Sequence, residues 1–332
     1  MRIAFFELEG WQKKIVTKSL KGHSLLFFDE ALTDKHVARL KGVEVLVVFI
    51  YSQVTAKIVD SLVKLKFVAT MSTGYDHVDV AACKKKKVLV CNVPTYGENT
   101  VAEHAFALIL ALSRRVYPSI KRTHEQHSFV TDASLRGFDL KGQTLGLIGC
   151  GNIGKHVARI AIGFEMKVLV FDLNRDEKLA KKIGFRYGSF SQLLKNSDIL
   201  SLHVPYNKKT HHLIDGTAIA SMKKGVYIVN TARGAVIDTH ALVKGLRSGQ
   251  VAGAGLDVLE EECAVKEEVA LLNDAFKKTC NMATILENHL LMKMENVIIT
   301  PHNAFNSSEA LLRILETTLE NIKDKGRKNS VS

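Results

Sequence analysis

Short β-branched and aromatic runs alternate along this chain with stretches of amphipathic helical spacing. In the first hundred residues IAFF (3–6), VEVLVVFI (43–50), KFVAT (66–70) and VLVCNV (88–93) read as strands. Strands alternating with helices predict parallel sheets with right-handed crossovers. A long helix is expected from about Asn99 to Arg115, where Glu98 to Glu103 opens a stretch ending in AFALILAL, and it could form a hinge between domains. A polar, His-containing stretch covers 121–139. The pattern then restarts with TLGLI (144–148), VLVF (168–171), ILSLHV (199–204) and VYIVN (226–230), so two successive α/β units are expected. A last strand-like VIIT (297–300) precedes a helix from Ser308 to about Lys323, and the tail GRKNSVS reads as frayed.

Composition agrees with this picture. A chain of 332 residues is more than one hydrophobic core usually covers, and 46% hydrophobic with 24% charged residues is that of an ordinary folded protein. The formal charge of +12 suits nucleic acid, anionic lipid or small anionic ligands. The basic run Lys84 to Lys87 has no interleaved aromatics and falls between a helical stretch and a strand, so it reads as a solvated turn, and nucleic acid is a minor possibility. Cys83, Cys91, Cys150, Cys263 and Cys280 are odd in number and lack CxxC spacing, which argues against a zinc ribbon or a disulfide framework and for a reducing cytosol. Glu7 and Glu9 interrupt any signal-peptide pattern, and no apolar run is long enough to span a membrane, so a cytoplasmic protein is expected. His124, His127, His211 and His212 lack companion ligands at metal spacing and read as exposed loop histidines.

The most informative segment is TLGLIGCGNIGKHVARI. Gly149, Gly151 and Gly154 form GxGxxG directly after an apolar strand and at the start of a helix. In this pattern the first glycine permits a tight turn, the second lets a pyrophosphate approach the backbone, and the third lets helix and strand pack closely. Amides at the helix start then bind the anion. The next strand ends in Asp172, 18 positions beyond Gly154 (154 to 172), where a carboxylate would accept the ribose hydroxyls of NAD and disfavour a phosphorylated ribose. Nearby Arg175 is the residue that would favour NADP instead.

Three further segments end apolar runs: VNTARGAVID with Arg233, GAGLDVLEEE with Asp257 and Glu262, and VIITPHNAF with His302. In a doubly wound sheet those ends line the ligand crevice. An arginine, a carboxylate and a histidine suit hydride transfer between a nicotinamide and a 2-oxo or 2-hydroxy acid. Arg233 can hold a substrate carboxylate with its planar fork and polarise the ketone. His302 can give a proton to the developing alkoxide or take one from the alcohol. A glutamate can fix the imidazole tautomer, though Glu260, Glu261 and Glu262 lie in one run and could equally be an acidic helix start.

Together STGYDHVD (72–79), NVPTYGENTVAEHAFALIL (92–110), the glycine fingerprint, SLHVP (201–205), NTARG (230–234), LDVLEEE (256–262) and ITPHNAF (299–305) make the chain resemble the D-isomer-specific 2-hydroxyacid dehydrogenases over nearly its whole length, especially the D-lactate dehydrogenase branch. The resemblance implies catalytic Arg233, Glu262 and His302, selecting the third glutamate. It implies Asn152 and Ile153 at the pyrophosphate, Val204, Pro205 and Thr210 on the adenosine side, and Thr231, Ala232 and Asp257 near the nicotinamide. It implies Thr73 and Gly74 at the substrate carboxylate, with Tyr96 and Phe305 near the substrate side chain. Many family members carry arginine where this chain has Met71, which makes a phosphorylated substrate less favoured.

The fold implied is α/β with two doubly wound parallel-sheet domains, a Rossmann-type cofactor domain (99–299) inserted into a flavodoxin-like substrate domain (1–98 and 300–332). His302 would then sit at a crossing between domains, and 116–140 resembles an arm through which family members form homodimers. Pyruvate and D-lactate lead as substrates, with glyoxylate or hydroxypyruvate next. No metal is required. A different class, an NAD-sensing corepressor-like binding protein, would keep the same residues without turnover.

Overall fold

The computed structural model describes residues 1–262, 281–326 and 328–331. Cys263 and Cys280 lie outside the described residues. The chain divides into two compact units, one formed by Met1–Tyr96 with Asn306–Ser332 and the other by Gly97–Phe305. The second division falls after Phe305 and not at 299/300, so Thr300, His302 and Phe305 belong to the second unit with the glycine fingerprint.

In the first unit, β1 (Arg2–Phe6), β2 (Ser24–Phe28), β3 (Val45–Val48), β4 (Phe67–Thr70) and β5 (Leu89–Cys91) form a parallel sheet in the order β2-β1-β3-β4-β5. That is the flavodoxin-like order. Strands β1, β3 and β4 are almost wholly buried because helices cover both faces of such a sheet, which is why they read as continuous apolar runs. The helix Ser308–Lys323 returns to this unit and buries Ile314, Leu315, Leu319 and Ile322 in its core. The tail after it is held, contrary to the frayed end expected. Ser330 bridges Cys91, Asn92 N donates to Asn329 O (3.3 Å) and Val331 N donates to Val90 O (2.9 Å).

The second unit carries β6 (Thr144–Ile148), β7 (Lys167–Phe171), β8 (Arg186–Tyr187), β9 (Ile199–Leu202), β10 (Val226–Asn230), β11 (Val251–Leu256) and β12 (Val297–Ile299), all parallel, in the order β12-β11-β10-β9-β6-β7-β8. The order reverses between β6 and β9, the position where doubly wound sheets bind ligands beyond their strand ends. The expected long helix runs Glu98–Ser113 and packs Leu108 and Leu112 close to Gly255 of β11. Arg115 then takes a left-handed conformation and a second helix, Val116–His124, follows, its last turn entering the stretch read as polar from residue 121. No described helix is long and apolar enough to cross a membrane.

Candidate active site

The fingerprint glycines differ in what they do. Gly149 follows β6 with φ 90°, and a Cβ there would lie 2.5 Å from His203 O beyond β9. A Cβ on Gly154 would lie 2.1 Å from Gly149 O, so this glycine lets the helix Gly154–Gly163 begin against the turn. A Cβ on Gly151 would meet no protein atom within 4 Å. Its glycine is therefore not demanded by packing, and the open space suits a ligand phosphate approaching the backbone. Asn152 and Ile153 complete the turn, and the helix start has no side-chain cap, leaving its positive dipole end for an anion.

Asp172, at the end of β7, accepts from Cys150 N (2.6 Å) and Asn174 N (2.7 Å), which ties its carboxylate to the turn between Gly149 and Gly151. Arg175 is engaged elsewhere: it donates to Gly188 O (3.3 Å) and stacks over the Tyr187 ring at 5.7 Å. Thr210 closes the loop after β9, its hydroxyl donating to Pro205 O (2.6 Å) and accepting from Asn207 N (2.8 Å); Val204 is half-buried and Pro205 exposed. The Thr231 hydroxyl is buried without a hydrogen-bond partner. An orphaned hydroxyl at the end of β10, an open Gly151 and an uncapped helix start all fit a dinucleotide.

Asn230, buried, shapes the next turn by accepting from Ala232 N (3.0 Å) and donating to Arg233 O (2.9 Å). Arg233 is half-buried and donates to Ala232 O (2.7 Å). A Cβ on Gly234 would fall 1.9 Å from Leu259 C, so that glycine brings the arginine turn against the glutamate run. The three glutamates separate in space. Glu260 accepts from the Thr239 hydroxyl (2.8 Å) and pairs with His212 Nε2 (2.7 Å), which corrects the reading of His212 as an exposed loop histidine, since it is half-buried and paired. Glu261 is exposed with φ 56°. Glu262 accepts from Leu259 N (3.3 Å) and meets His302 Nδ1 at 2.8 Å. Phe305 stands edge-on to the His302 ring, with centroids 6.3 Å apart.

Asp257 is 1% exposed. Its carboxylate accepts from the Thr300 hydroxyl (2.5 Å), Asn303 N (2.7 Å) and Ala304 N (2.9 Å), and its carbonyl accepts from His302 N (2.9 Å). Burial raises the Asp257 pKa, but hydrogen bonds from His104, Thr300 and the two amides outweigh it and hold the carboxyl below its ordinary value. His104, Thr300 and Asn230 lie inside the motifs NVPTYGENTVAEHAFALIL, ITPHNAF and NTARG, but residue type gave them no role there, and the His212–Glu260 pair carried no signal in the sequence. A polar His104 immediately before the apolar AFALILAL was the clearest of these signals.

Thr73, Gly74 and Tyr96 belong to the first unit. Thr73 donates its hydroxyl to Val93 O (2.8 Å), Ser72 donates to Gly74 O (2.6 Å), and Tyr96 O accepts from Arg313 Nε (2.5 Å). Met71 is 1% exposed, packed in that unit's core. Among the described residues no cluster of His, Cys, Asp and Glu could hold a metal ion.

Residues 106–304 match the family model described as the NAD binding domain of D-isomer specific 2-hydroxyacid dehydrogenases. The chain belongs to the D-isomer-specific 2-hydroxyacid dehydrogenase family, oxidoreductases acting on CH–OH groups, and its cofactor is NAD. It is 32% identical to a D-lactate dehydrogenase of Escherichia coli over 98% of this chain and 96% of the relative. It is 36% identical to a glyoxylate reductase of Korarchaeum cryptofilum over 90% and 84%. The solved structure of a D-lactate dehydrogenase from Aquifex aeolicus, complexed with NAD and lactic acid, superposes with a TM-score of 0.87 at 38% identity, covering 99% of this chain and 98% of that one.

Proposed function

We propose that this chain catalyses reversible hydride transfer between NADH and a small 2-oxo acid, with pyruvate and D-lactate as the substrate pair. The observation that carries the reading is the His302–Glu262 hydrogen bond at 2.8 Å in the same unit as Arg233 and the fingerprint turn. In this proposal Gly149, Gly151, Asn152, Ile153 and Gly154 hold the pyrophosphate, Asp172 takes the ribose hydroxyls, Val204, Pro205 and Thr210 border the adenosine, and Thr231, Ala232 and Asp257 border the nicotinamide. When bound, the nicotinamide supplies the hydride. Arg233 binds the substrate carboxylate and polarises the ketone. His302 donates a proton to the oxygen as the alkoxide develops, and Glu262 holds Nδ1 protonated so that Nε2 faces the exchange. The family resemblance adds Thr73, Gly74, Tyr96 and Phe305 as substrate-binding residues.

Glyoxylate and hydroxypyruvate form the second substrate reading, favoured by the glyoxylate reductase relative. The proposal includes a homodimer. Its support is the apolar residues Val116, Tyr117, Ile120, Phe129 and Val130, all exposed on the 116–140 segment. Size measurement in solution tests this. A cytoplasmic site of action belongs to the same reading, supported by Cys83, Cys91 and Cys150 being free and buried. Mixing protein and NADH with pyruvate, hydroxypyruvate, glyoxylate, 2-oxobutyrate and phenylpyruvate, and following nicotinamide absorbance, tests the reaction. Pyruvate is expected to give the highest kcat/KM. Absence of NADH oxidation with all five would overturn the enzymatic reading in favour of an NAD-sensing binding protein.

A further inference from the structure

His104 projects from the helix Glu98–Ser113 to the ends of β11 and β12. Its Nε2 lies 3.0 Å from Thr300 Oγ1 and 3.3 Å from Asp257 Oδ1, with the side chain 19% exposed. The Thr300 hydroxyl has one proton, and the 2.5 Å contact commits it to Asp257. Thr300 Oγ1 is therefore an acceptor toward His104, and Nε2 must carry a hydrogen. Among the described residues His104 is the basic side chain within ion-pair distance of this nearly inaccessible carboxylate. The same carboxylate accepts the amides of Asn303 and Ala304, immediately after His302. His302 itself has φ 50°, a left-handed conformation that a non-glycine residue keeps only when its surroundings enforce it.

Resting on the reaction proposed above, we propose that His104 is a positioning residue: through Thr300 and Asp257 it holds the 300–304 turn that presents the His302 imidazole. Removing its N–H leaves Thr300 Oγ1 without a donor and Asp257 without its basic neighbour in a buried place, and the turn relaxes by exchanging protein donors for water. His104 itself contacts no reacting atom in this reading.

The test compares the full-length protein with His104→Phe, which keeps a planar ring without the N–H, and His104→Gln, which offers an uncharged N–H donor. His104→Phe is expected to lower kcat roughly tenfold to a hundredfold, with substrate KM and NADH affinity within about threefold of wild type. His104→Gln is expected to recover kcat to within about threefold. Hydrogen exchange at the Asn303 and Ala304 amides is expected to quicken in His104→Phe and stay slow in His104→Gln. Unchanged kcat and exchange in His104→Phe, or equal losses in both variants, would overturn the assignment. Should wild type turn over no 2-oxo acid, the reaction proposal falls by itself, and amide exchange alone decides the role of His104.

Discussion

His302 Nδ1 lies 2.8 Å from Glu262 Oε1, although the two residues are 40 positions apart. Glu262 is steadied by Leu259 N, and the His302 backbone by Asp257 O and Thr300 O. With Nδ1 engaged by a carboxylate, proton transfer falls to Nε2, for which the described residues supply no competing partner. His302→Ala should lower kcat by roughly a hundredfold or more while NADH affinity stays within a few fold, because a proton donor is lost and no cofactor contact is. Glu262→Gln should give a smaller loss in kcat. Steady-state kinetics with NADH titration checks both, and full turnover in His302→Ala would remove it from the chemistry.

Arg233→Lys should raise the substrate KM and lower kcat together, since an ammonium cannot reproduce the planar fork that binds a carboxylate while polarising a ketone. A change in KM alone would limit Arg233 to binding.

Two of the three fingerprint glycines should respond differently. Gly154→Ala places a methyl 2.1 Å from a backbone oxygen and should destabilise the fold by about 1–3 kcal/mol. Gly151→Ala meets no protein atom within 4 Å and should leave the denaturant midpoint unchanged while weakening NADH binding. Equal NADH affinity in Gly151→Ala and wild type would move the pyrophosphate away from this turn.

Asp172→Asn should narrow the preference for NADH over NADPH, because the ribose acceptor loses its charge. The Cys150 and Asn174 amides donate to different oxygens of Asp172, so the asparagine keeps an acceptor for only one of them, and a modest loss of stability should accompany the change in cofactor preference. A proportionate loss with both cofactors would argue against ribose selection at this residue.

His203 predicts a pH effect on stability. Its Nε2 meets Ser201 Oγ at 2.8 Å, its Nδ1 is sealed off without a partner, and burial pushes the imidazole pKa down to about 3. The ordinary value of a histidine in the unfolded chain is about 6.5. Between the two values the unfolded chain binds the extra proton, so this contribution is complete above the upper value and shrinks as the pH falls toward the lower one. The slope is at most about 1.4 kcal/mol per pH unit, and less to the extent that water reaches the ring. Urea midpoints of wild type and His203→Gln between pH 4 and 7 should diverge, with the variant flatter. Parallel profiles would mean that His203 takes up its proton over the same pH range in the folded protein as in the unfolded chain.

The legible and hidden parts of this molecule divide along physical lines. Strands β1, β3, β4, β6 and β10 announce themselves because burial on both faces demands unbroken apolar runs. Strand β11 was harder: VAGAGL is built of small residues because a Cβ on Gly255 would stand 3.0 Å from Leu108 Cβ. Strand β8 is only two residues long. The held tail was missed because Ser330 and Val331 pair with strand-end residues some 240 positions earlier, which no local composition encodes.

The site divides in the same manner. By itself the sequence determined the fold class, the glycine turn, Asp172 and the three side chains that suit hydride transfer, since these are dictated by residue type and by position after an apolar run. Residue type left three glutamates open beside His302 and the resemblance selected Glu262, whereas only the tertiary structure decided that Glu260 belongs to His212 and Thr239 and that His104 reaches Asp257 through Thr300. Hydrogen bonds act over about 3 Å. Which distant residues come that close is set by how β11, β12 and the helix Glu98–Ser113 pack, and not by spacing along the chain.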